Sequence, residues 1–469
     1  MRNRLMTLAA VALALPLAAT TGRAQQTTVA SATTETTSVK KDTSSKTDSV
    51  APATSAAKKI SELPPLLIQH LRPADQRGVG MFEPPKSDGV PYEGFKLTWG
   101  AAFTQQWQGL QHSNAATPRV VSNVDQNQLI VIGHGFNNAV ANLYLNAQVA
   151  KGIRVAVTSY ASARHHQETW IKEGYALVDD SPVDAPFLNT IMKYTTLKVG
   201  HFEINYGDQH YRRSDNGQAM YNPFVGNYIL DAFTTEIGAE LYLRRGPWLA
   251  MGGITGGEVR GQVTAPTNRS PAYLAKLGFD KRWTPNIRTR LTGSAYLQDK
   301  SNSNTLFTGD RAGARYYDVL ENTASTETAQ AWSGNVRPGF ANRVYSYVLN
   351  PFVECHGVEL FGTVETATGK ATAELTKRTV RQYAGEGLYR FFDRKLYVGG
   401  RYNVVYGELA GIPNDVEVNR TQIGGGWFVT PLLLTKVEYV KQNYLNFPTA
   451  DIRSGGMFKG FMVEGVLAF

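Results

Sequence analysis

The last ten residues constrain the fold most. Gly460 to Phe469 read Gly-Phe-Met-Val-Glu-Gly-Val-Leu-Ala-Phe. Stepping back in twos from Phe469 gives Leu467, Gly465, Val463 and Phe461, all apolar or small, while the other register carries Glu464. A period of two is that of a β-strand. One apolar face, one mixed face and an aromatic end fit the wall of a barrel whose outer side meets lipid, with the aromatic at the interfacial level. The edge of a soluble sandwich would alternate in the same way, so the rest of the chain has to decide.

The opposite end narrows the choice. Arg2 and Arg4 precede an apolar run from Leu5 to Ala19 that Pro16 interrupts, and Gly22-Arg23-Ala24 ends in small residues. Residues 1–24 therefore read as a secretory signal cleaved after Ala24. No later stretch approaches the roughly 20 apolar residues of a spanning helix. An exported chain that enters a membrane without helices must close a barrel, because lipid tolerates no open sheet edge.

Composition agrees. Mean hydropathy is −0.28, as alternating apolar and polar positions give. Losing Arg2, Arg4 and Arg23 lowers the formal charge from +9 to about +6. That excess is mild, and no basic run with interleaved aromatics points to nucleic acid. The single Cys355 excludes an internal disulfide framework. His356 follows it, but strand neighbours point to opposite faces, so the pair is not expected to act as nucleophile and base. Neither a catalytic residue, a metal nor a cofactor is expected.

Residues 25–59 are dominated by Thr, Ser, Ala and Lys and cannot bury enough surface to offset their ordering entropy. They read as a disordered periplasmic tail. Residues 60–93 are rich in proline and glycine, with an apolar clump from Leu63 to Leu71, and read as a periplasmic, plug-like lead-in at the barrel mouth or partly inside it. From Gly94 to Phe469 the period is two. Phe95, Leu97, Trp99, Ala101 and Phe103 share one face of the first strand. Leu143, Leu145, Ala147 and Val149 mark the second, and Lys151-Gly152 turns into a third with Ile153, Val155 and Val157. Further strands are expected near 168–179, 193–206, 234–244, 247–257, 272–283, 286–299, 343–354, 357–368, 378–391, 395–410, 415–429, 432–446 and 457–469.

That makes an all-β, transmembrane antiparallel β-barrel of sixteen strands. Eighteen is the alternative if 299–343 hides a hairpin. Connections sort by length. With a periplasmic N-terminus, 150–152, 244–247, 283–286, 354–357, 391–395 and 429–432 are very short turns on one rim, and most connections on the other rim are long, as in outer-membrane barrels. The connection 179–193 is too long for this scheme. Tyr242, Trp248, Trp283, Phe391, Phe392, Trp427, Phe428 and Phe469 gather beside the short turns and are expected to form the periplasmic girdle.

Sixteen strands leave an aqueous channel, whose selectivity follows lumen charge. Inward positions carry Lys96, Arg154, Lys172, Lys198, Lys276, Arg282, Arg288, Arg290, Arg390, Arg401, Arg420 and Lys436. The acidic set is Asp280, Glu359, Glu365, Glu386, Glu438 and Glu464. The basic excess predicts a weak anion preference. Pairing of Asp280 with Arg282 or Arg288, and of Glu386 with Arg390, would reduce it.

The connection between the fifth and sixth strands, Gly207 to Phe233, holds Asp208, His210, Arg212, Arg213, Asp215 and Asp231 with several aromatics. Here the chain resembles the trimeric Gram-negative porins, whose third external loop folds into the lumen and forms the constriction. The resemblance is one of topology. It implies an aqueous pore for small hydrophilic solutes or anions, a homotrimer, an outer-membrane lipid surround, and handling by the barrel-assembly machinery through the strand ending at Phe469. Folded inward, Arg212 and Arg213 facing Asp208 and Asp215 would set a transverse field. Leu197-Lys198-Val199-Gly200-His201-Phe202 looks somewhat like the phosphate-selective porin group. That group's arginine ladder and loop lysine cluster have no clean counterpart here, so phosphate specificity is not implied.

Two other classes stay open. A non-conducting scaffold or adhesin barrel would anchor external loops or the tail. A barrel enzyme would need a positioned cluster, for which His165-His166-Gln167-Glu168 is the one tempting run.

Overall fold

The computed structural model describes residues 63–86, 89–165, 169–181, 183–258, 263–326 and 333–469. The expected signal and the Thr/Ser/Lys tail lie outside them, as does most of the His165–Glu168 run.

Sixteen antiparallel strands form the wall. They are β1 (Lys96–Ser113), β2 (Val140–Ala150), β3 (Ile153–Ser162), β4 (Trp170–Val178), β5 (Thr195–Glu203), β6 (Thr235–Arg245), β7 (Trp248–Thr255) and β8 (Ala272–Thr284). The series continues with β9 (Ile287–Gln298), β10 (Arg343–Cys355), β11 (Val358–Lys370), β12 (Arg378–Phe391), β13 (Leu396–Gly407), β14 (Val416–Thr430), β15 (Leu433–Leu445) and β16 (Met457–Ala468). Each strand pairs with its sequence neighbour. The sheet closes where β1 pairs with β16, from Ala102↔Ala468 to Ser113↔Met457. The lower half of β1 pairs with β2, from Lys96↔Gln148 to Thr104↔Val140, and Gly135–Phe136 adds two pairs to its upper half. Phe469 and Ala101 exchange both backbone hydrogen bonds, at 2.9 and 3.1 Å. No wall strand is left with an open edge, as lipid requires.

The alternation read from the sequence is the alternation of the wall. On β1, Leu97, Trp99 and Phe103 are exposed outward, whereas Ala102, Thr104, Gln106 and Gln108 are buried inward. On β8, Leu277 is 68% exposed while its neighbour Lys276 is fully buried. An apolar outer face and a polar inner face make the barrel a transmembrane one, of the outer-membrane type.

Three details differ from the sequence expectation, and the choice between sixteen and eighteen strands falls to sixteen as expected. The long connection 179–193 holds a short helix, α1 (Pro186–Met192), begun by a proline at its first turn. Among the described residues of 299–342 there is no wall hairpin: Leu306, Phe307, Tyr316, Val319 and Leu320 are buried in the lumen, and the count stays at sixteen. Tyr242 and Phe428 are not girdle residues. Both are buried on the inner face, whereas Trp248, Trp283, Phe392, Trp427 and Phe469 are exposed outward; Trp427 and Phe428 are adjacent and must take opposite faces. Finally, Cys355 and His356 do touch, Sγ to Nδ1 at 3.3 Å, because His356 enters the turn with φ +48° and strand alternation stops there.

Candidate functional site

The chain between β5 and β6, residues 204–234, folds into the lumen. Almost all of it is buried: Asp208, Arg212, Arg213, Asn222, Phe224, Ile229 and Asp231 are each below 5% exposed. A buried loop is tenable only if its polar groups find partners, and inward-facing side chains of the wall supply them. The amide of Val225 donates to Glu438 Oε2 at 2.8 Å, that of Ile229 to Asn403 Oδ1 at 2.6 Å, and that of Leu230 to Gln382 Oε1 at 3.0 Å. Lys436 Nζ donates to the carbonyls of Ala219, Asn222 and Phe224 and pairs with Glu464. Gly226 passes so close to the second infolded segment that a Cβ there would stand 2.1 Å from the Tyr316 hydroxyl, which itself donates to Glu438.

Charges follow the same rule. Arg212 reaches Glu386 at 2.5 Å and Glu359 at 3.2 Å. Arg401 takes the other oxygen of Glu386 at 2.7 Å, and Arg390 holds Glu359 at 2.6 Å. Asp208 lies between Lys276 and Arg290, each at 2.7 Å. Arg213 pairs with Asp231 inside the loop at 2.6 Å. Asp215 pairs with Lys172 of β4, which also holds Glu203 at 3.0 Å. His210 contacts Glu203 at 3.2 Å and Asn205 at 3.0 Å.

The expected face-off of Arg212 and Arg213 with Asp208 and Asp215 therefore does not form. Wall charges take Arg212, Asp208 and Asp215, and Arg213 turns to Asp231 within the loop. The pairing of Glu386 with Arg390 is likewise replaced by Glu386 with Arg401 and Arg212, whereas Asp280 with Arg288 forms at 2.6 Å. Arg282 goes to Glu354 at 3.1 Å. Lys96 pairs at the rim with Glu93, and Arg154 stands 3.9 Å from Asp179. Among the described residues Arg420 meets only neutral acceptors, Gln442 and the carbonyls of Asn227 and Gly334.

Burial shifts the loop's titrating groups. It pushes Asp215 up to about 6, against the pull of Lys172 and with help from Glu203 and Asp310. Burial lowers His210, which the Glu203 hydrogen bond only partly offsets. It also pushes Asp208 upward, but Lys276 and Arg290 more than reverse that and hold it below its ordinary value.

The infolded segments do not fill the lumen evenly. On the side of β10–β16 they pack against the wall. On the side of β1–β6 a cavity of about 450 Å³ is left, lined by Arg154, Lys172, Lys198, Glu203, Arg213 and Asp215 among others. Its floor is the lead-in, residues 64–84. Arg213 Nη1 is buried and has no hydrogen-bond partner among the described residues. Among those residues no group of three His, Cys, Asp or Glu side chains is placed to hold a metal. The lead-in and 299–342 are the two parts of the lumen that period-two reading could not place. Their only signal was apolar residues, Leu63 to Leu71 with Phe82 in one and Leu306, Phe307, Tyr316 and Val319 in the other.

No protein-family model matches the sequence, and no curated protein does. Solved structures of similar architecture include the anion-selective porin of Comamonas acidovorans, at 10% identity and TM-score 0.49 over 80% of this chain and 100% of that one. A loop L8 deletion mutant of OmpT, an outer membrane protein of Vibrio cholerae, gives 10% identity and TM-score 0.48 with the same coverage. The outer membrane channel DcaP of Acinetobacter baumannii gives 9% identity and TM-score 0.45 over 80% of this chain and 98% of that one. At such distances the strand register and the two-faced wall carry the architecture: the chain is a closed sixteen-stranded outer-membrane β-barrel.

Proposed function

We propose that the chain is an outer-membrane porin, a channel for passive diffusion of small hydrophilic solutes and ions with a weak anion preference. The observation that carries this reading is the charge-lined cavity along β1–β6, left open beside the infolded segments. A wall of sixteen strands is wide enough for water, and a polar lumen of fixed charges discriminates by sign. Anion preference is supported by the inward basic excess, with Arg213 among the residues that line the cavity. Ion pairing of most other lumen cations keeps the preference weak. In this reading the constriction is set by Asp208, His210, Arg212, Arg213, Asp215 and Asp231 of the loop against the wall. A homotrimer is the assembly this reading implies.

Single-channel conductance of the mature chain in a planar bilayer, with the reversal potential under a salt gradient, tests the reading. Open steps reversing on the anion side are expected. Silence from folded, heat-modifiable protein would refute the pore and favour a non-conducting scaffold. The extent of lumen filling is the observation on that side.

A further inference from the structure

Residues 63–86 and 89–93 run across the short-turn rim before β1 and are tied to it around the ring. Gln69 accepts from the amide of Gly152 in the β2–β3 turn at 3.3 Å. Lys86 donates to the carbonyls of Asp179 and Thr195 at the β4–β5 connection. Arg244, near the end of β6, donates to the Pro84 carbonyl, and Arg288 of β9 to that of Gly80 at 2.9 Å. Gln76 donates through its side chain to the Arg394 carbonyl at 3.2 Å and through its amide to the Pro431 carbonyl at 3.0 Å. From above, the infolded loop holds the same segment: Arg72 donates to the Tyr211 carbonyl at 3.0 Å, and Tyr221 to that of Pro73 at 2.6 Å. The lead-in is thus a strap between the rim and the loop.

At its deepest point the strap inserts Phe82 and Glu83, with Phe82 only 2% exposed. The Glu83 carboxylate lies 2.8 Å from Arg290 Nη2 and 3.2 Å from Lys276 Nζ, and accepts from Asn205 Nδ2 at 3.2 Å. The Phe82 ring meets Phe352 and Tyr211 edge-on, with centroids at 5.3 and 5.9 Å. The Arg290 guanidinium lies 4.3 Å from the Phe82 ring centroid, so one arginine serves both ring and carboxylate. Lys276 and Arg290 are almost wholly buried. Without Glu83, Lys276 Nζ keeps Asn205 Oδ1, the Gly207 carbonyl and Asp208, and Arg290 keeps Asp208 and Asp280, so the acceptor is lost to one hydrogen of Arg290 Nη2 and to the Asn205 amide. A buried donor left unpaired is costly, so a carboxylate at this position is favoured.

We propose that Lys276, Arg290, Asn205 and Phe352 form a binding site for small aromatic carboxylates, which the strap fills in cis with the side chains of Phe82 and Glu83, closing the mouth. An entering aromatic carboxylate and the strap then exclude each other. The idea rests on the pore reading only for its physiological use; binding is measurable without conduction.

The probe is benzoate, with acetate as control, titrated calorimetrically into the full mature chain and into a Phe82→Ala/Glu83→Gln chain. Removing the competitor is expected to tighten benzoate binding at least tenfold, with little gain for acetate. The same double variant is expected to conduct several-fold more than the parent. A second chain, Gln76→Cys/Pro431→Cys in a Cys355→Ser background, keeps Phe82 and Glu83 and staples the strap where its amide meets the rim. Benzoate binding is expected to be absent when it is oxidised and restored on reduction. Equal benzoate affinity in parent and double variant, or in oxidised and reduced staple, overturns the proposal. If all chains are silent in the bilayer while benzoate binding behaves as expected, the porin reading fails and the site stands.

Discussion

Glu386 is one of the points where the infolded loop is fastened to the wall by charge, and its replacement by glutamine tests how the loop is held. The substitution keeps the side-chain shape and removes one negative charge between two buried cations. Arg212 would lose its 2.5 Å partner and keep Glu359 at 3.2 Å. Arg401, fully buried, would keep the Gly226 carbonyl at 2.9 Å and Asn222 Oδ1 at 3.1 Å. Removing one partner of a buried pair costs about 3–5 kcal/mol. The surviving acceptors place Glu386→Gln at the low end, about 3 kcal/mol, which is roughly a 100-fold rise in the opening equilibrium of the loop. The backbone ladder of the wall is untouched and Arg401 keeps its loop acceptors, so the cost falls mainly on the loop. Hydrogen exchange read by mass spectrometry is the assay. The amides of Val225, Ile229 and Leu230, which donate to Glu438, Asn403 and Gln382, should exchange roughly 100-fold faster, with the backbone of β10–β16 unchanged. Loop exchange within threefold of the parent would refute the argument and leave the neutral hydrogen bonds as the fastening. Equal acceleration in the wall strands would show that loop and barrel open as one unit.

Two further outcomes are expected. Asp215, raised by burial to about 6, takes up a proton as the pH falls through that value and adds one positive charge to the cavity wall beside Lys172. The reversal potential should therefore move toward the anion side with a midpoint near pH 6, and Asp215→Asn should abolish the step; a pH-independent potential in the parent would refute the assignment. On the outer face, Leu277→Arg puts a charge among lipid chains and should cost about 2–4 kcal/mol if it lies at the bilayer midplane, read as a lower denaturation midpoint in bilayer-folded protein. A change below about 0.5 kcal/mol would mean that this face is covered by something other than lipid.

Most of the wall was legible because each strand has one lipid-facing and one water-facing side. Leu97, Trp99 and Phe103, or Leu277 beside Lys276, declare their faces by type alone. Where both faces accept aromatics, as at Trp427 and Phe428 next to the rim, residue type does not assign the side and only register does. The loop 204–234 was found by its ordinal place and its charges, but its partners were not. Which carboxylate Arg212 chooses depends on positions 147 and 174 residues away. The strap and 299–342 carry no period, since irregular chain inside a lumen is held by scattered side-chain bonds that leave no repeat. The sequence told inside from outside. It did not tell how the inside was filled.

The infolded loop works like the hub of a wheel. Its spokes run to Lys172 on β4, to Lys276 on β8 and Arg290 on β9, to Glu359 on β11, Glu386 on β12 and Lys436 on β15. A hollow ring of this width could flatten under lateral pressure from the bilayer; a spoked one resists, since squeezing one diameter strains bonds on all the others. Two substitutions on opposite sides of the wall, too distant to touch, are then joined through the hub, and their effects on stability should fail to add.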